Sequence, residues 1–460
     1  MNTHLKRIFT LIILLSCAFV AQAQAYRAGY FLKGNSYRHR MNPALTVERG
    51  YFSLPMVGNT NINITSNMGL ASFLYPKGDG LVTFMHPDVT VDEFLGGISE
   101  NNYLHFDSDM TVLSLGFYAF GGYNTLDVGF HSRFGINLPK DMFRVMKDMS
   151  DHNYSLSNLD LFTKNYADIA IAHSHNITKD LAIGVRLKFI VGLAYAEMLM
   201  EKMDVTLDGQ QWMINAKGGA SMAFMGSKFT FDENGAIDGF SKIEPGLSGM
   251  GFGADLGATY DFSNVLTKGL ILSASVCDMN FISWKNVSKA GMSPEEPYVF
   301  NGFEEIAIND EKGGATVLNQ FEQMGNDLGE FFKIKDMGVA NKNEFFGATV
   351  NVGLEYKMPF YDKLSVGALF THRFENVYSY TVGSLMLNLS PAKFLDLAAG
   401  ASVSTFGYDW SAMLNIHCRG FNLFAATDFY AGKVSKEYIP LDNLNASILF
   451  GINIPFGKRH

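Results

Sequence analysis

The sequence predicts an all-β fold: a transmembrane, antiparallel, up-and-down β-barrel of about 14, alternatively about 16, strands. We expect it to carry a short N-terminal hatch and long external loops. Three observations support this prediction. A secretory leader opens the chain, long segments alternate apolar and polar residues, and the connections between them alternate in length. Alternation puts apolar side chains on one face of a strand and polar side chains on the other, as a wall between lipid and a polar lumen requires.

The first 25 residues have the layout of a cleaved signal peptide. Lys6 and Arg7 precede an apolar run over residues 8–20, and the small residues of 21–25 follow at the cleavage positions. The run has about 13 residues, too few for the ~20 that a membrane-spanning helix needs. A second interpretation stays open, in which Cys17 is the lipidated first residue of a lipoprotein.

Alternating segments of membrane-strand length follow. Residues 126–138, 346–358 and 444–456 each place apolar side chains at every second position. These segments run about 10 to 13 residues, whereas globular strands usually have ~5 to 6 and tilted membrane strands need ~9 to 11. Charged residues make up only 18% of the chain, and 39 Phe and 20 Tyr are available for aromatic belts. Length and composition therefore favour a membrane barrel over a soluble sandwich.

Loop lengths give an independent prediction. Counted backward from a periplasmic C-terminus, short turns near residues 121, 179, 209, 264, 362, 391 and 420 fall on the periplasmic side. Long connections, roughly 66–108, 139–165, 226–250 and 281–344, fall on the external side, as in membrane barrels. The segment 199–224 decides the strand count, because it is either two wall strands or a hairpin that rises above the membrane.

Two external loops have helical spacing of apolar residues, at 140–149 and 317–332. We interpret them mainly as loop caps that pack on themselves, with a landing site for a hydrophobic ligand as the alternative. The predicted division of the chain is a signal peptide over 1–25, a periplasmic or plug segment over 26–50 and the barrel over 51–460. The segment 26–50 is basic and does not alternate, so it is either a disordered tail or a plug.

The polar faces of the predicted strands carry charged residues of both signs, which we expect to face the lumen. Either they form structural ion pairs or they line a polar conduit. The predicted lumen residues are Asp127, His131, Arg133, Arg186, Lys188, Asp255, Glu355, Lys357, Arg373, Asp409, His417 and Arg419.

Several other classes of function are disfavoured. A net charge of −9 argues against nucleic acid as a partner. Cys277 and Cys418 form no C-x-x-C pair, and His173 and His175 lack the further ligands that a metal site needs. No nucleophile-elbow motif occurs, so we predict no enzyme and no cofactor.

Asn42-Pro43-Ala44 lies just before the first predicted strand and resembles the element that ends the hatch of FadL-type transporters. Those barrels carry hydrophobic compounds across the outer membrane. With Leu54-Pro55 in the first strand, the whole layout resembles still more closely an uncharacterised family of Bacteroidota outer-membrane barrels. The resemblance implies that Asn42, Pro43 and Ala44 lie at the base of a plug. It also implies passive transport of a hydrophobic or amphipathic small molecule. The alternatives are a non-transporting barrel that docks secretion or surface-assembly partners, and a general porin.

The end of the chain resembles the signal that the barrel assembly machinery reads, with Gly451, Ile454 and the terminal aromatic Phe456. The predicted location is therefore the cell outer membrane. The predicted partners are outer-membrane lipid, the assembly machinery and a hydrophobic small-molecule ligand.

Overall fold

The computed structural model describes residues 27–457 except 56, 79, 149, 151–152, 208–210, 233–236, 293, 295, 302–312, 376–378, 406, 431–440 and 442. The predicted signal peptide and Cys17 lie outside the described residues. Strands dominate, and among the described residues no helix has the length and hydropathy needed to cross a membrane.

The strands in chain order are β1 (Gly50–Ser53), β2 (Asn59–Ser66), β3 (Leu74–Lys77), β4 (Gly80–Thr83), β5 (Asn101–Ala119), β6 (Gly122–Pro139), β7 (Asn153–Ser155), β8 (Leu159–Asn176), β9 (Leu181–Leu207), β10 (Trp212–Phe224), β11 (Phe229–Phe231), β12 (Ile237–Phe240), β13 (Gly249–Asp261), β14 (Leu270–Met292), β15 (Tyr298–Phe300), β16 (Lys335–Phe345), β17 (Ala348–Lys357), β18 (Leu364–Phe374), β19 (Tyr380–Ala392), β20 (Leu395–Ser404), β21 (Gly407–His417), β22 (Asn422–Tyr430) and β23 (Leu444–Phe456). The α-helices are α1 (Val91–Gly96), α2 (Lys140–Lys147) and α3 (Gly313–Phe331).

The wall is a closed antiparallel barrel of 14 strands, which confirms the predicted fold class. Each wall strand pairs with the next one along the chain, and β1 and β2 together form the first. The last strand, β23, pairs with β22 on one side and with β1 and β2 on the other, so the sheet has no free edge. Closure satisfies every ladder internally, which a sheet in hydrocarbon requires.

The choice between 14 and 16 strands is settled by β9, which continues without a turn through the segment that was ambiguous. Its first half pairs with β13, and its second half pairs with β10. β10 therefore stands above β13 in the same column, between β9 and β14, and adds no wall strand. Residue 209, predicted to lie in a periplasmic turn, is outside the described residues. The described ends of β9 and β10 on either side of it point away from the turn at 177–180.

The outer surface is apolar because the apolar residues of each alternating strand point outward from the wall. Along β9, Ile183, Val185 and Leu187 are exposed on the outside. The alternate residues Arg186 and Lys188 are buried on the inner side. The exposed aliphatic face is the one that meets lipid in a membrane barrel.

Two external connections together form a small cap: the β3–β4 hairpin and α1 come before β5, and α2 comes after β6. Phe94 of α1 is fully buried and stacks on Phe84 at 4.4 Å between ring centroids. Phe143 of α2 packs on the same cluster. The backbone N–H of Glu93 donates to the Thr90 hydroxyl, which caps α1. The first helical loop therefore packs on its own neighbours.

Candidate functional site

The segment 27–49, which we call the hatch, lies inside the lumen instead of hanging below the barrel. It contains two short 3₁₀ turns, Arg27–Gly29 and Arg38–Arg40, and the arginines at 27 and 38 are buried. A basic, non-alternating segment cannot join a lipid-facing wall, but it can pack where the wall supplies polar and acidic partners. The hatch packs against polar and acidic residues of the wall.

Asn42 fastens the hatch to the wall by its side chain. Its amide nitrogen donates to the carbonyls of Ala258 at 3.3 Å and Ala274 at 3.2 Å, on β13 and β14. Its side-chain oxygen accepts from the backbone N–H of Ala44 at 2.9 Å, which closes the Asn-Pro-Ala turn. Asn42 therefore stabilises the Asn-Pro-Ala turn and also attaches it to the wall.

Two directly paired wall glycines make room for this turn. Gly184 of β9 and Gly257 of β13 stand opposite each other in the ladder. A Cβ at Gly257 would run into the side chain of Asn42, and a Cβ at Gly184 would run into the backbone of Pro43. Glycine permits this close backbone approach.

The carbonyl of Met41 is a second point of attachment. It accepts hydrogen bonds from the Asn351 amide at 3.0 Å, the Ser275 hydroxyl at 2.6 Å and the Cys277 thiol at 3.1 Å. Two of these donors lie on β14, which also holds Asn42, and the third lies on β17, which pairs with β14. A buried carbonyl with several donors is strongly localised.

Ion pairs attach the hatch to the opposite side of the barrel. Both Nε and Nη2 of Arg27 donate to Asp428 on β22, at 3.2 and 3.0 Å. His39 contacts Asp127 on β6 through Nε2 at 3.3 Å, and Arg186 donates to the same carboxylate at 3.2 Å. The hatch is thus braced against several separate wall strands.

Charged side chains continue upward from Asp127 as an alternating network. Arg186 also lies 3.6 Å from Asp255, which pairs with Lys188 at 2.8 Å. Lys188 reaches on to Asp278 at 2.9 Å. Burial of so many charges is tolerable because each has a partner of opposite sign.

A second branch of the network centres on His131. Its Nδ1 lies 2.6 Å from Asp109 and its Nε2 lies 3.0 Å from Asp168. Arg133 lies between Asp107 and Asp109, at 3.2 Å from each. The branch links strands β5, β6 and β8 across the inner face.

A cavity lies above the hatch and is continuous with outside solvent; the space inside it together with the solvent at its mouth is about 1400 Å³. Arg27, Arg40 and Met41 of the hatch contribute to its floor, and the charged network supplies most of its wall. Tyr103 and Glu375 line it too, and they stand at the external ends of β5 and β18. The cavity therefore opens to the external side.

The structure brings some predicted lumen residues together and separates others. His131, Arg133, Arg186, Lys188 and Arg373 line the cavity, with Asp127 and Asp255 buried beside them. Elsewhere, Glu355 accepts from Ser365, Asp409 from Asn445, and His417 pairs with Asp396, all away from the cavity. Lys357 is half-buried at the periplasmic end of β17, and Arg419 is exposed in the turn after β21, because that strand ends at His417.

Sequence reasoning missed five acidic residues of the cavity wall, namely Asp107, Asp109, Asp168, Asp278 and Glu375. Asp107 fell in a segment taken for a loop, whereas β5 already begins at Asn101. Asp278 lies at an irregularity of the β13–β14 pairing and has a positive φ of 59°, so simple alternation does not place it. Asp168 alternates regularly along β8, so its position was readable from the sequence.

The other singled-out residues lie outside this site. Ile454 and Phe456 are exposed on the outer face of β23, and Gly451 is buried where a Cβ would meet the backbone of Gly58. His173 contacts Asn124 at 2.9 Å, and within the described ranges no group of metal-ligating side chains is present. Recognition of the last strand by the assembly machinery stays a prediction.

Comparison with known proteins gives a family and a set of similar folds. The model described as "Family of unknown function (DUF5723)" matches residues 43–428. No curated protein matches. The Ralstonia pickettii toluene transporter TbuX is similar, with 10% identity, 92% of this chain and 94% of that chain covered, and a TM-score of 0.42. A FadL homologue of Pseudomonas aeruginosa is also similar, with 11% identity, 95% of this chain and 98% of that chain covered, and a TM-score of 0.43.

Proposed function

For this chain, which belongs to the Family of unknown function (DUF5723), we propose the role of a plugged outer-membrane channel that admits a small amphipathic molecule. The observation that carries the proposal is the cavity, which opens outward to solvent and ends on the hatch. A concave site of this kind is where small molecules bind in proteins. The apolar outer face of the barrel supports the location in an outer membrane.

The lining of the cavity favours an amphipathic ligand over a purely hydrophobic one. Charged pairs such as Arg133–Asp107 would have to lose their remaining water if hydrocarbon covered them, which is costly without compensation. Tyr380 is half-buried in the lining and offers aromatic surface beside the charges, whereas Tyr103 and Tyr166 also line the cavity but are buried. A ligand with a polar head and a short apolar body matches both kinds of lining.

Passage beyond the cavity requires a change at the hatch. The contacts of Arg27 with Asp428 hold one side of it, and those of Asn42 with β13 and β14 hold the other. Release of one side while the other stays attached opens a path without expelling the whole hatch. This step requires fewer broken contacts than full displacement.

Flux through reconstituted protein tests the proposal. Proteoliposomes would be loaded with radiolabelled phenyltrimethylammonium or benzenesulfonate, which are amphipathic and cross protein-free bilayers poorly. We expect release of at least one tracer above the level of empty liposomes, and faster release from Asn42→Ala, which loosens the hatch. Gly383→Ala is the matched control, because a Cβ at Gly383 meets nothing within 4 Å. Release equal to that of empty liposomes from wild type and Asn42→Ala would refute the channel.

A second function, docking of a partner protein at the cell surface, has its own observation. β9, β10 and β14 extend above the wall as a sheet. On this sheet Met213 and its direct ladder partner Val299, from the adjoining β15, are both exposed on one face. Neighbouring exposed apolar side chains are typical of interaction sites. Crosslinking in intact outer membranes separates the two proposals. A stoichiometric partner lost in Met213→Ser supports docking, and an uncrosslinked chain with measurable flux supports the channel.

A further inference from the structure

We propose that the end of the barrel with the short turns binds anionic phospholipid through an arc of basic residues, Lys363, Lys393 and Arg419, which we call the basic rim. This inference goes beyond the proposed channel. It rests on the placement of the barrel in a membrane and requires neither the cavity nor transport. Three features support it: where these residues lie, the sign of their charge compared with that of the chain, and the exposed rings beside them.

The three basic residues lie in neighbouring turns at one end of the barrel. Lys363 is in the turn between β17 and β18, Lys393 is between β19 and β20, and Arg419 is between β21 and β22. These strands are consecutive neighbours in the wall, so successive turns are two strands, or about 10 Å, apart. The Lys363 ammonium donates to the carbonyl of Pro391 at 3.1 Å, which draws it toward the next turn. The rim is therefore a continuous arc of positive charge.

The charge of the rim is opposite to that of the chain. The chain has 45 Asp and Glu against 36 Lys and Arg, yet these three turns contain a single carboxylate, that of Asp362. Lys363 and Arg419 are exposed, and neither forms an ion pair within the part of the chain that the structure describes. Lysines on the external side differ, since Lys342, for example, pairs with Glu197 at 2.8 Å. The positive charge of the rim is therefore available to an external anion.

The charges next to the rim do not reverse its sign. Lys357 at the end of β17 has the same sign, and so does Arg49, which donates to the carbonyl of the residue after β23 at 3.1 Å. Glu48 beside Arg49 contributes one negative charge. Two further carboxylates, Glu355 and Asp396, are buried on the inner side of the wall and out of contact with lipid. The outward-facing charge of this arc remains positive.

Each of the three turns also exposes an aromatic ring near its basic residue. Phe360, Phe394 and Phe421 are 78%, 53% and 43% exposed. The rings continue the apolar outer face of the wall, on which Leu387 and Leu423 are exposed. Aromatic rings at the end of a lipid-facing surface lie at the level of the lipid head groups. Basic side chains beside them therefore lie where phospholipid phosphates are.

This combination favours a lipid over an acidic protein as the occupant. A soluble protein would have to reach basic groups that lie at head-group level, between rings that are covered by lipid. A phosphodiester is already at that level, and long basic side chains can extend to it while their stems cover apolar surface. Each Lys or Arg near a bilayer surface strengthens binding to anionic lipid by about fivefold.

Native mass spectrometry of the purified protein in detergent tests the preference for anionic lipid. Phosphatidylglycerol and phosphatidylcholine with identical acyl chains are the probes, because they differ in net charge. We expect phosphatidylglycerol to bind at least about fivefold more tightly, and the preference to shrink as salt rises. Equal binding of the two lipids would overturn the inference.

A triple variant locates the lipid. It carries Lys363→Gln, Lys393→Gln and Arg419→Gln. The matched control removes the same number of charges from exposed lysines on the external side, through Lys228→Gln, Lys242→Gln and Lys335→Gln. We expect the rim variant to lose the preference for phosphatidylglycerol and the control to keep it. All six side chains are exposed, so both variants should fold, which the mobility of the folded band in gel electrophoresis checks. An unchanged preference in the rim variant would place the lipid elsewhere and overturn the inference.

Two further outcomes separate this inference from its competitors. Soluble polyglutamate, titrated against the protein in phosphatidylcholine nanodiscs, represents an acidic protein partner. Polyglutamate binding that the rim variant loses, without any preference for phosphatidylglycerol, would overturn the lipid in favour of such a partner. Tracer flux without a lipid preference would overturn this inference and leave the channel intact, whereas a lipid preference without flux would uphold it and refute the channel.

Discussion

The Gly257→Ala substitution tests whether the wall glycines hold the hatch in place. The new Cβ would occupy the position of the Asn42 side-chain oxygen, so the side chain has to move. That movement breaks the hydrogen bonds to Ala258, Ala274 and the N–H of Ala44. At roughly 1 kcal/mol for each of three bonds, the local cost is about 3 kcal/mol, or on the order of a hundredfold in the opening equilibrium of the hatch.

Hydrogen-exchange mass spectrometry of the hatch peptides in detergent is the assay. We expect exchange over residues 36–47 to rise by on the order of a hundredfold in Gly257→Ala, with the wall strands unchanged. Gly383→Ala adds the same methyl group where nothing lies within 4 Å, so it should leave the hatch protected. Unchanged hatch protection in Gly257→Ala would refute the reasoning.

A double-mutant cycle sharpens the result. Asn42→Ala alone removes the same hydrogen bonds, so we expect it to raise hatch exchange to a similar extent. Gly257→Ala added to Asn42→Ala should then cost much less than it does alone, because the main clash is gone. Additive effects of the two substitutions would show that they act on separate contacts.

Three further predictions concern stability. Asp428→Ala leaves Arg27 buried without its carboxylate, so it should lower the free energy of unfolding by about 3–5 kcal/mol. The double variant Arg27→Met with Asp428→Leu should recover most of this loss. Urea titration measures both, and equal stability of the single and double variants would contradict the prediction. Gly347 has a φ of 97°, and a Cβ there would meet the backbone of Phe374. Gly347→Ala should therefore lower the temperature at which the band of folded protein disappears in gel electrophoresis. An unchanged temperature would contradict this prediction. Phe94→Ala should loosen the cap by about 3–5 kcal/mol and expose it to limited proteolysis, with the barrel transition unchanged; a shifted barrel transition would show that the cap and wall are coupled.

The sequence was most informative where one face of a strand meets lipid. Ile183, Val185 and Leu187 of β9 alternate with inward residues because the two solvents on either side of the wall differ. The same alternation predicted Arg186 and Lys188 as inward residues, and both are buried. It continues above the membrane, however, so it could not tell a wall strand from the upper half of β9.

The site was less readable, because its parts depend on contacts distant along the chain. Nothing near Arg27 in the sequence shows that its partner is Asp428, on a strand near the other end. The direction of Asp278 depends on an irregularity in strand pairing, which alternation does not predict. The resemblance placed Asn42, Pro43 and Ala44 at the base of a plug, and the contacts of Asn42 with β13 and β14 show how that position is fixed.

The pairing of β23 with β1 and β2 sets an order of events for folding. The ring is complete only when the two ends of the chain meet, and that seam is the slow, long-range step of such a topology. The hatch directly precedes β1, and Arg27 bonds to β22 beside the seam, so packing of the hatch and closure of the ring involve neighbouring parts of the wall.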